Sequence, residues 1–152
     1  MSASEKQPWH AAYPAPTSTA VYLPQATALE WMESSEKVVG RDFVLVDLRR
    51  NDHEGGTIKD SINLPAQTIY HSIPALYNLF TAAGVQAVVF YCGSSQGRGS
   101  RAAAWMQDYI SVRGGDKMKS YALEGGVKGW VKTGGKLLGL MDGYDASAWS
   151  KE

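Results

Sequence analysis

The chain has 152 residues, of which 15 are lysine or arginine and 15 are aspartate or glutamate, so its formal net charge at pH 7 is zero. A chain of this length fits one domain and buries about 70% of the surface that its unfolded form exposes. The balanced charge provides no overall positive field for nucleic acid or an anionic membrane, and one cysteine with three separated histidines excludes an internal disulfide and argues against a zinc site.

The N-terminus carries no targeting signal that we recognise. Its first eight residues have neither the apolar core of a signal peptide nor the arginine-rich character of a transit peptide. No segment approaches the roughly 20 apolar residues of a membrane span. We therefore expect a cytoplasmic protein whose free thiol stays reduced, with the nucleus as a second location.

The chain begins with an irregular segment, which we call the arm. Residues 1–18 contain three prolines together with the aromatic residues Trp9 and Tyr13. This composition predicts an arm that docks on the domain through its aromatic side chains. The rest of the chain divides into a domain at 19–135 and a C-terminal tail at 136–152 that we expect to pack on it.

Helices and strands alternate through the domain. The predicted elements, in chain order, are a helix at 24–34, a buried strand at 43–48, a loop at 51–60, a short strand at 61–65, a helix through Ile73, Leu76, Tyr77 and Phe80 that ends at Gly84, a strand at 87–91, a helix that ends at Gly114, a strand at 120–123 and a helix at 127–133. This alternation predicts an α/β fold with a central, mostly parallel five-stranded sheet and helices on both faces. Ligands of such sheets bind beyond the carboxyl ends of the strands, which is where Cys92 lies.

The segment around Cys92 is the most informative part of the sequence. Cys92 follows the strand at 87–91, and Arg98 begins the next helix. Consecutive backbone N–H groups, a helix N-terminus and a guanidinium all stabilise a thiolate and an incoming phosphate-like oxyanion. A cysteine after an apolar run is also an ordinary small buried residue, but the surrounding small residues and the amphipathic helix favour a catalytic or anion-binding site. The predicted oxyanion-binding loop consists of Gly93, Ser94, Ser95, Gln96 and Gly97.

The candidate site residues have distinct roles. Cys92 is the predicted nucleophile, its thiolate supported by the N–H groups from Gly93 to Arg98 and by the Ser94 or Ser95 hydroxyl. Arg98 would hold two substrate oxygens bidentately, in a planar arrangement that lysine lacks.

The acidic residues before the cysteine loop are predicted to support it. An ion pair with Asp47 or Glu54 is the alternative role for Arg98, and the two roles can coexist. Asp47 itself ends a buried strand, which favours a hydrogen-bond anchor over a general acid. Asp52, His53 and Glu54 are candidate proton donors, with none preferred.

Two neighbouring arginines lie between Asp47 and Asp52. Arg49 and Arg50 could extend a local positive rim around the site. A pair of this kind is more often simply solvated, so we expect both to lie on the surface.

The order of three motifs is similar to that of the rhodanese fold. The first contains Asp47 and Arg49 and continues through Gly56-Thr57-Ile58, where the family usually has Gly-His-Ile; the second is the cysteine loop; the third is Leu123-Glu124-Gly125-Gly126-Val127-Lys128-Gly129-Trp130. The match covers about residues 20–135. The resemblance implies a single rhodanese-like domain in which Cys92 is the reactive residue.

The length of the cysteine loop resembles that of one subgroup of the family. Five residues separate Cys92 from Arg98, as in the cell-division-cycle dual-specificity phosphatases and the fungal arsenate reductases, whereas the loop of the sulfurtransferases is typically one residue shorter. Ser100 replaces the proline of the subgroup's Arg-Gly-Pro-Arg sequence. Tyr91 stands where the subgroup commonly has histidine. Gly97 stands where the cell-cycle phosphatases have a glutamate suggested as proton donor, which argues against a cell-cycle role.

The resemblance implies a cysteine-dependent phosphatase that acts on phosphate monoesters through a cysteinyl-phosphate. An arsenate reductase is the alternative. Because the chain lacks a second cysteine, the resemblance then implies glutathione and glutaredoxin as external thiols, with glutaredoxin as a protein partner. Thiosulfate sulfurtransferase and a non-catalytic module for oxyanions or phosphopeptides are further alternatives. We expect no bound cofactor or metal, and a small oxyanion or phosphorylated molecule as the ligand. The oligomeric state stays open.

Overall fold

A five-stranded sheet forms the centre of the molecule. The computed structural model describes residues 7–115 and 117–150, so the ends of the predicted arm and tail, 1–6 and 151–152, lie outside the described residues. The strands are β1 (Tyr22–Leu23), β2 (Phe43–Asp47), β3 (Thr57–Ile58), β4 (Ile62–Asn63), β5 (Ala87–Tyr91), β6 (Lys119–Leu123) and β7 (Met141–Asp142). The sheet has the order β1-β6-β5-β2-β4, and all its pairings are parallel. The predicted α/β fold with five strands is confirmed.

Helices cover both faces of the sheet. They are α1 (Gln25–Glu33), α2 (Ile69–Ala83), α3 (Arg98–Arg113), α4 (Gly126–Thr133) and α5 (Ala146–Trp149), with 3-10 helices at Trp9–Ala12, Ala66–Thr68 and Gly135–Leu140. Helices α2 and α3 pack on one face, and α1 and α4 pack on the other. No helix in the described part of the chain is long and apolar enough to cross a membrane.

The alternation of side chains along β5 decides what surrounds the cysteine. Every residue of this strand is buried, because β5 lies between β2 and β6 with helices above and below. Val88, Phe90 and Cys92 belong to the core under α2 and α3. Val89 and Tyr91 belong to the core under α1 and α4. The side chains of Tyr91 and Cys92 therefore point to opposite faces of the sheet.

Two short pairings escaped prediction. Strand β1 has two residues and forms an edge of the sheet beside β6. Strand β3 lies inside 51–60, which was wrongly predicted to be loop throughout, and it pairs antiparallel with β7 near the C-terminus. A strand of two residues has no periodicity to detect, and its partner is distant in sequence.

The described part of the arm lies over α2 and α3. The Trp9 ring meets Trp105 edge-on with ring centroids 5.9 Å apart. The Tyr13 ring stacks on Tyr70 with centroids 5.2 Å apart. The Trp105 indole N–H also donates to the Pro14 carbonyl at 2.9 Å. These contacts hold the arm in a defined position.

Asp108 of α3 secures the end of the arm. Its carboxylate accepts hydrogen bonds from the backbone N–H and the hydroxyl group of both Thr17 and Ser18. Partial burial acts to raise the pKa of Asp108, but these hydrogen bonds outweigh it and lower the pKa overall. The ionised form of Asp108 is therefore the one that the folded state stabilises.

We expect Asp108→Asn to lower the free energy of unfolding by about 1 kcal/mol at pH 7, since a charged acceptor of several hydrogen bonds is lost. A lowered pKa in the folded state stabilises the fold above the ordinary aspartate pKa of about 3.9, and this contribution disappears as the pH falls through the folded value. Urea unfolding of both proteins at pH 7 and at pH 3 should show the difference shrinking at pH 3. An equal difference at both pH values would contradict this role.

Candidate active site

Cys92 lies at the carboxyl end of β5, between the last strand residue and the first turn of α3. Residues 93–97 make the connection, and Arg98 is the first residue of the helix. The Cys92 side chain is almost fully buried, with 2% of its surface exposed. The loop therefore places the thiol at the N-terminus of α3, where the helix dipole stabilises a negative charge.

Two backbone N–H groups point at the Cys92 sulfur. The Ser95 nitrogen lies 3.1 Å from Sγ, and the Gly99 nitrogen lies 3.3 Å from it. Donors of this kind stabilise the thiolate form relative to the thiol. The Ser95 N–H is one of those predicted from the sequence to support the thiolate. The Gly99 N–H, in the first turn of α3, was not predicted.

Ser95 and Gly99 fit against each other beneath the loop. Ser95 is buried and has a φ of 62°, a left-handed conformation that few residues other than glycine adopt. A Cβ atom at Gly99 would lie 3.0 Å from the Ser95 side chain, so the glycine allows the two backbones to approach. Both serine hydroxyls accept hydrogen bonds from the backbone. The Ser95 hydroxyl accepts one from the Cys92 N–H at 3.4 Å, and the Ser94 hydroxyl accepts one from the Gln96 N–H at 3.2 Å.

The N-terminus of α4 binds the loop from the other side. The Val127 N–H donates to the Cys92 carbonyl at 3.0 Å, and the Lys128 N–H donates to the Gly93 carbonyl at 2.9 Å. Gly126 has a φ of 60°, and a Cβ atom there would collide with the Gly93 carbonyl. Because α4 binds the first carbonyls of the loop, these oxygens are turned away from an incoming anion.

Arg98 forms an ion pair with Asp52. Its Nη1 and Nη2 atoms donate to Oδ1 and Oδ2 of Asp52 at 2.9 and 2.6 Å. The hydrogen bond that Arg98 donates to Asp52 raises the pKa of Arg98, and the Cys92 sulfur adds to that effect. In turn, the guanidinium holds the pKa of Asp52 far below its usual range. The suggested pairing of Arg98 with Asp47 or Glu54 is therefore wrong, and Asp52 takes that place.

Asp47 forms a buried ion pair with Arg49. The Arg49 side chain, predicted to lie on the surface, is 1% exposed, and its Nη2 atom lies 2.8 Å from Asp47 Oδ2. Arg49 also donates to the backbone carbonyls of Glu54 at 3.1 Å and Gly56 at 2.8 Å. The Glu54 residue is exposed and contributes that carbonyl to the network. The prediction for Arg49 was wrong because its charge is satisfied inside the fold, while Arg50 is exposed as expected.

The Tyr91 hydroxyl group joins strand β5 to the segment that contains β3 and β4. It lies 2.8 Å from Thr57 Oγ1 and 2.7 Å from Ser61 Oγ, and it accepts the Ile58 N–H at 3.1 Å. Thr57 also donates to Asp47 at 2.8 Å. Burial, followed by the charge of Asp47, raises the pKa of Tyr91, so the hydroxyl stays protonated. The tyrosine thus supports the strand ends on the face opposite the thiol.

An open cavity of about 780 Å³ extends from the cysteine loop. Cys92 and Arg98 line it together with Arg101 of α3. The arm forms another part of its wall, through Trp9, His10, Pro16 and Ser18, and the following residues Thr19 and Ala20 continue it. Sequence reasoning missed this contribution, because nothing in the local pattern of the arm indicates which surface it will cover.

The three candidate proton donors are not part of this lining, and Asp52 instead contacts the site through its ion pair with Arg98. Asp52 and Glu54 line a smaller cavity of about 130 Å³, together with Gly93 of the cysteine loop. His53 Nε2 lies 3.4 Å from Asp47 Oδ2. None of the three lines the larger cavity. Among residues 7–115 and 117–150, no group of three or more His, Cys, Asp or Glu side chains is placed to hold a metal ion.

Sequence comparisons relate this chain to a phosphatase and to an arsenical-resistance protein. A model of the rhodanese-like domain matches residues 25–133. The chain is 26% identical over 137 residues to the CDC25-like phosphatase YCH1 of Saccharomyces cerevisiae, covering 84% of this chain and 93% of YCH1. It is 29% identical over 97 residues to Arsenical-resistance protein 2 of the same yeast, covering 59% of this chain and 75% of that protein.

Solved structures share the fold. The crystal structure of Ygr203w from S. cerevisiae, described as a homologue of single-domain rhodanese and of the Cdc25 phosphatase catalytic domain, has a TM-score of 0.68 and 24% identity, with 86% of this chain and 91% of that chain covered. The As-Sb reductase of Leishmania major has a TM-score of 0.71 and 21% identity, with 80% and 84% covered. The chain is thus similar in fold to a homologue of the Cdc25 phosphatase catalytic domain and to an As-Sb reductase.

We expect Asp52→Asn to weaken the binding of tungstate, a tetrahedral oxyanion, about fivefold. Asp52 holds the Arg98 guanidinium in place, and an anion that must order a free arginine side chain loses about 1 kcal/mol of affinity. Titration calorimetry measures the change in Kd, with the exposed Asp60→Asn as the matched control. Tighter binding by Asp52→Asn would show instead that Asp52 competes with the anion for Arg98.

Proposed function

Since this chain belongs to the rhodanese-like domain family, we propose that it is a cysteine-dependent phosphatase that hydrolyses phosphate monoesters through a cysteinyl-phosphate. The arrangement around Cys92 is the observation that carries the proposal. Its sulfur accepts hydrogen bonds from the Ser95 and Gly99 N–H groups. Arg98 follows Cys92 after five loop residues and lines the same cavity. The similarity to a CDC25-like phosphatase supports this chemistry.

The reaction consists of two displacements at phosphorus. In the first, the Cys92 thiolate attacks phosphorus, and the bond from phosphorus to the ester oxygen breaks, with its electron pair leaving on that oxygen. In the second, water attacks the cysteinyl-phosphate, the sulfur–phosphorus bond breaks, and the thiolate is restored. Loop N–H groups and the planar Arg98 guanidinium stabilise the charge on the equatorial oxygens in both steps.

The helix N-terminus and the loop supply the groups that this mechanism needs. Backbone donors lose little entropy when they bind an anion, because the fold already holds them in place. The buried position of Cys92 reduces its contact with water, which strengthens these interactions. No resident cofactor takes part in either displacement.

Arsenate reduction is the second candidate, and the similarity to Arsenical-resistance protein 2 favours it. Arsenate has nearly the shape of phosphate and fits the same ring of donors. The Cys92 thiolate would attack As(V) and displace water, and two electrons from thiols would then reduce the adduct to As(III), with a disulfide as the oxidised product. Since Cys92 is the only cysteine, glutathione and glutaredoxin must supply the further thiols.

We expect Cys92→Ser to lower hydrolysis of 4-nitrophenyl phosphate by about a thousandfold or more, because the nucleophile is lost. Tungstate binding by the same variant serves as the control for an intact loop. Equal hydrolysis by the variant and the wild type would refute the proposal. Tungstate binding by both proteins with hydrolysis by neither would favour a module that only binds oxyanions.

We expect any arsenite formed from arsenate to require Cys92, glutathione and glutaredoxin together, because no second cysteine can resolve the adduct. Chromatographic separation of arsenite from arsenate measures the product after each component is omitted in turn. Arsenite formation by Cys92→Ser at the wild-type rate would exclude this second candidate. Cyanide with thiosulfate, assayed in parallel, detects sulfur transfer as thiocyanate.

A further inference from the structure

His10 lies in the wall of the cavity that contains Cys92. The other titratable side chains that line this cavity are Tyr22, Arg98 and Arg101, and its described lining includes no aspartate or glutamate. A phosphatase that acts on unactivated esters needs a proton for the departing oxygen. Among the residue types in this lining, histidine is the one that most often serves enzymes as a general acid or base.

The structure holds His10 in a defined place. It belongs to the 3-10 helix Trp9–Ala12, and its carbonyl accepts the Tyr13 N–H at 3.0 Å. Its ring meets the Trp9 ring edge-on, with centroids 5.4 Å apart, and Trp9 in turn contacts Trp105. Because Trp105 belongs to the core under α2 and α3, the arm carries His10 on a fixed support.

The direction of the reaction places the departing oxygen in this cavity. Cys92 is buried and lines the cavity, so its thiolate attacks a phosphorus atom that lies in the cavity. In an in-line displacement the leaving oxygen departs opposite the nucleophile, away from Cys92 and towards other lining residues of the cavity. The arm supplies His10 to this lining, which does not include Asp52 or Glu54.

We infer that His10 is the general acid for the leaving group, an assignment that rests on the proposed phosphatase activity. As the phosphorus–oxygen bond breaks, the His10 imidazolium gives a proton to the departing oxygen, which leaves as an alcohol or a phenol. The neutral imidazole then accepts a proton from the water that attacks the cysteinyl-phosphate. Both the acid and the thiolate are thereby regenerated at the end of the cycle.

Leaving-group dependence tests this assignment. Wild type, His10→Gln and His71→Gln are compared on phenyl phosphate, whose leaving group needs a proton, and on 4-nitrophenyl phosphate, whose leaving group departs without one. His71 is the matched control, because it is exposed, its ring meets the arm residue Tyr13 edge-on with centroids 5.3 Å apart, and it does not line the cavity. Thermal unfolding of each variant reports whether the fold is intact.

We expect His10→Gln to lower kcat/KM for phenyl phosphate by about a hundredfold, the usual contribution of a general acid, and to change kcat/KM for 4-nitrophenyl phosphate less than about threefold. The control should resemble the wild type on both substrates. Equal losses on both substrates, or no loss on either, would overturn the role of His10 and leave the phosphatase proposal standing. A wild-type protein inactive on both esters would instead refute the proposed function, and the assignment with it.

Discussion

The convergence of the Ser95 and Gly99 N–H groups on the Cys92 sulfur is the constraint on which the rest of the site depends. For both donors to reach one atom, the loop must turn within five residues and pass through the left-handed conformation at Ser95. Gly99 must lack a side chain for the same reason. In the proposed phosphatase, the same backbone shape would direct loop N–H groups towards both the Cys92 sulfur and a tetrahedral oxyanion.

That shape is supported by buried polar groups at the ends of β2 and β5. The pair of Asp47 and Arg49 is almost fully buried, and Arg49 also donates hydrogen bonds to the carbonyls of Glu54 and Gly56. Removal of one partner from such a pair leaves an uncompensated charge and costs about 3–5 kcal/mol. Tyr91 extends the network to the segment containing β3 and β4. The ends of β2 and β5 are therefore rigid at the point where the loop begins.

Long elements with a clear period were predictable, and contacts between distant segments were not. The apolar strands at 43–48 and 87–91 and the helix that ends at Gly114 lie close to their predicted positions, since periodicity and glycine are local signals. The partner of Arg98 was not predictable, because Asp47, Asp52 and Glu54 all lie within reach of the same strand end. The cavity wall made by the arm depends on the docking of Trp9 and Tyr13 onto α2 and α3, which no local pattern reveals.

The central claim is that a phosphoryl group is transferred to Cys92, and trapping that intermediate tests it most directly. The wild-type protein turning over 4-nitrophenyl phosphate is quenched in acid, digested, and examined by mass spectrometry for a phosphoryl adduct. Our account predicts the adduct on the peptide that contains Cys92, and its absence when Cys92→Ser is treated in the same way. Steady hydrolysis with no adduct on Cys92, or with the adduct on another residue, would contradict the account.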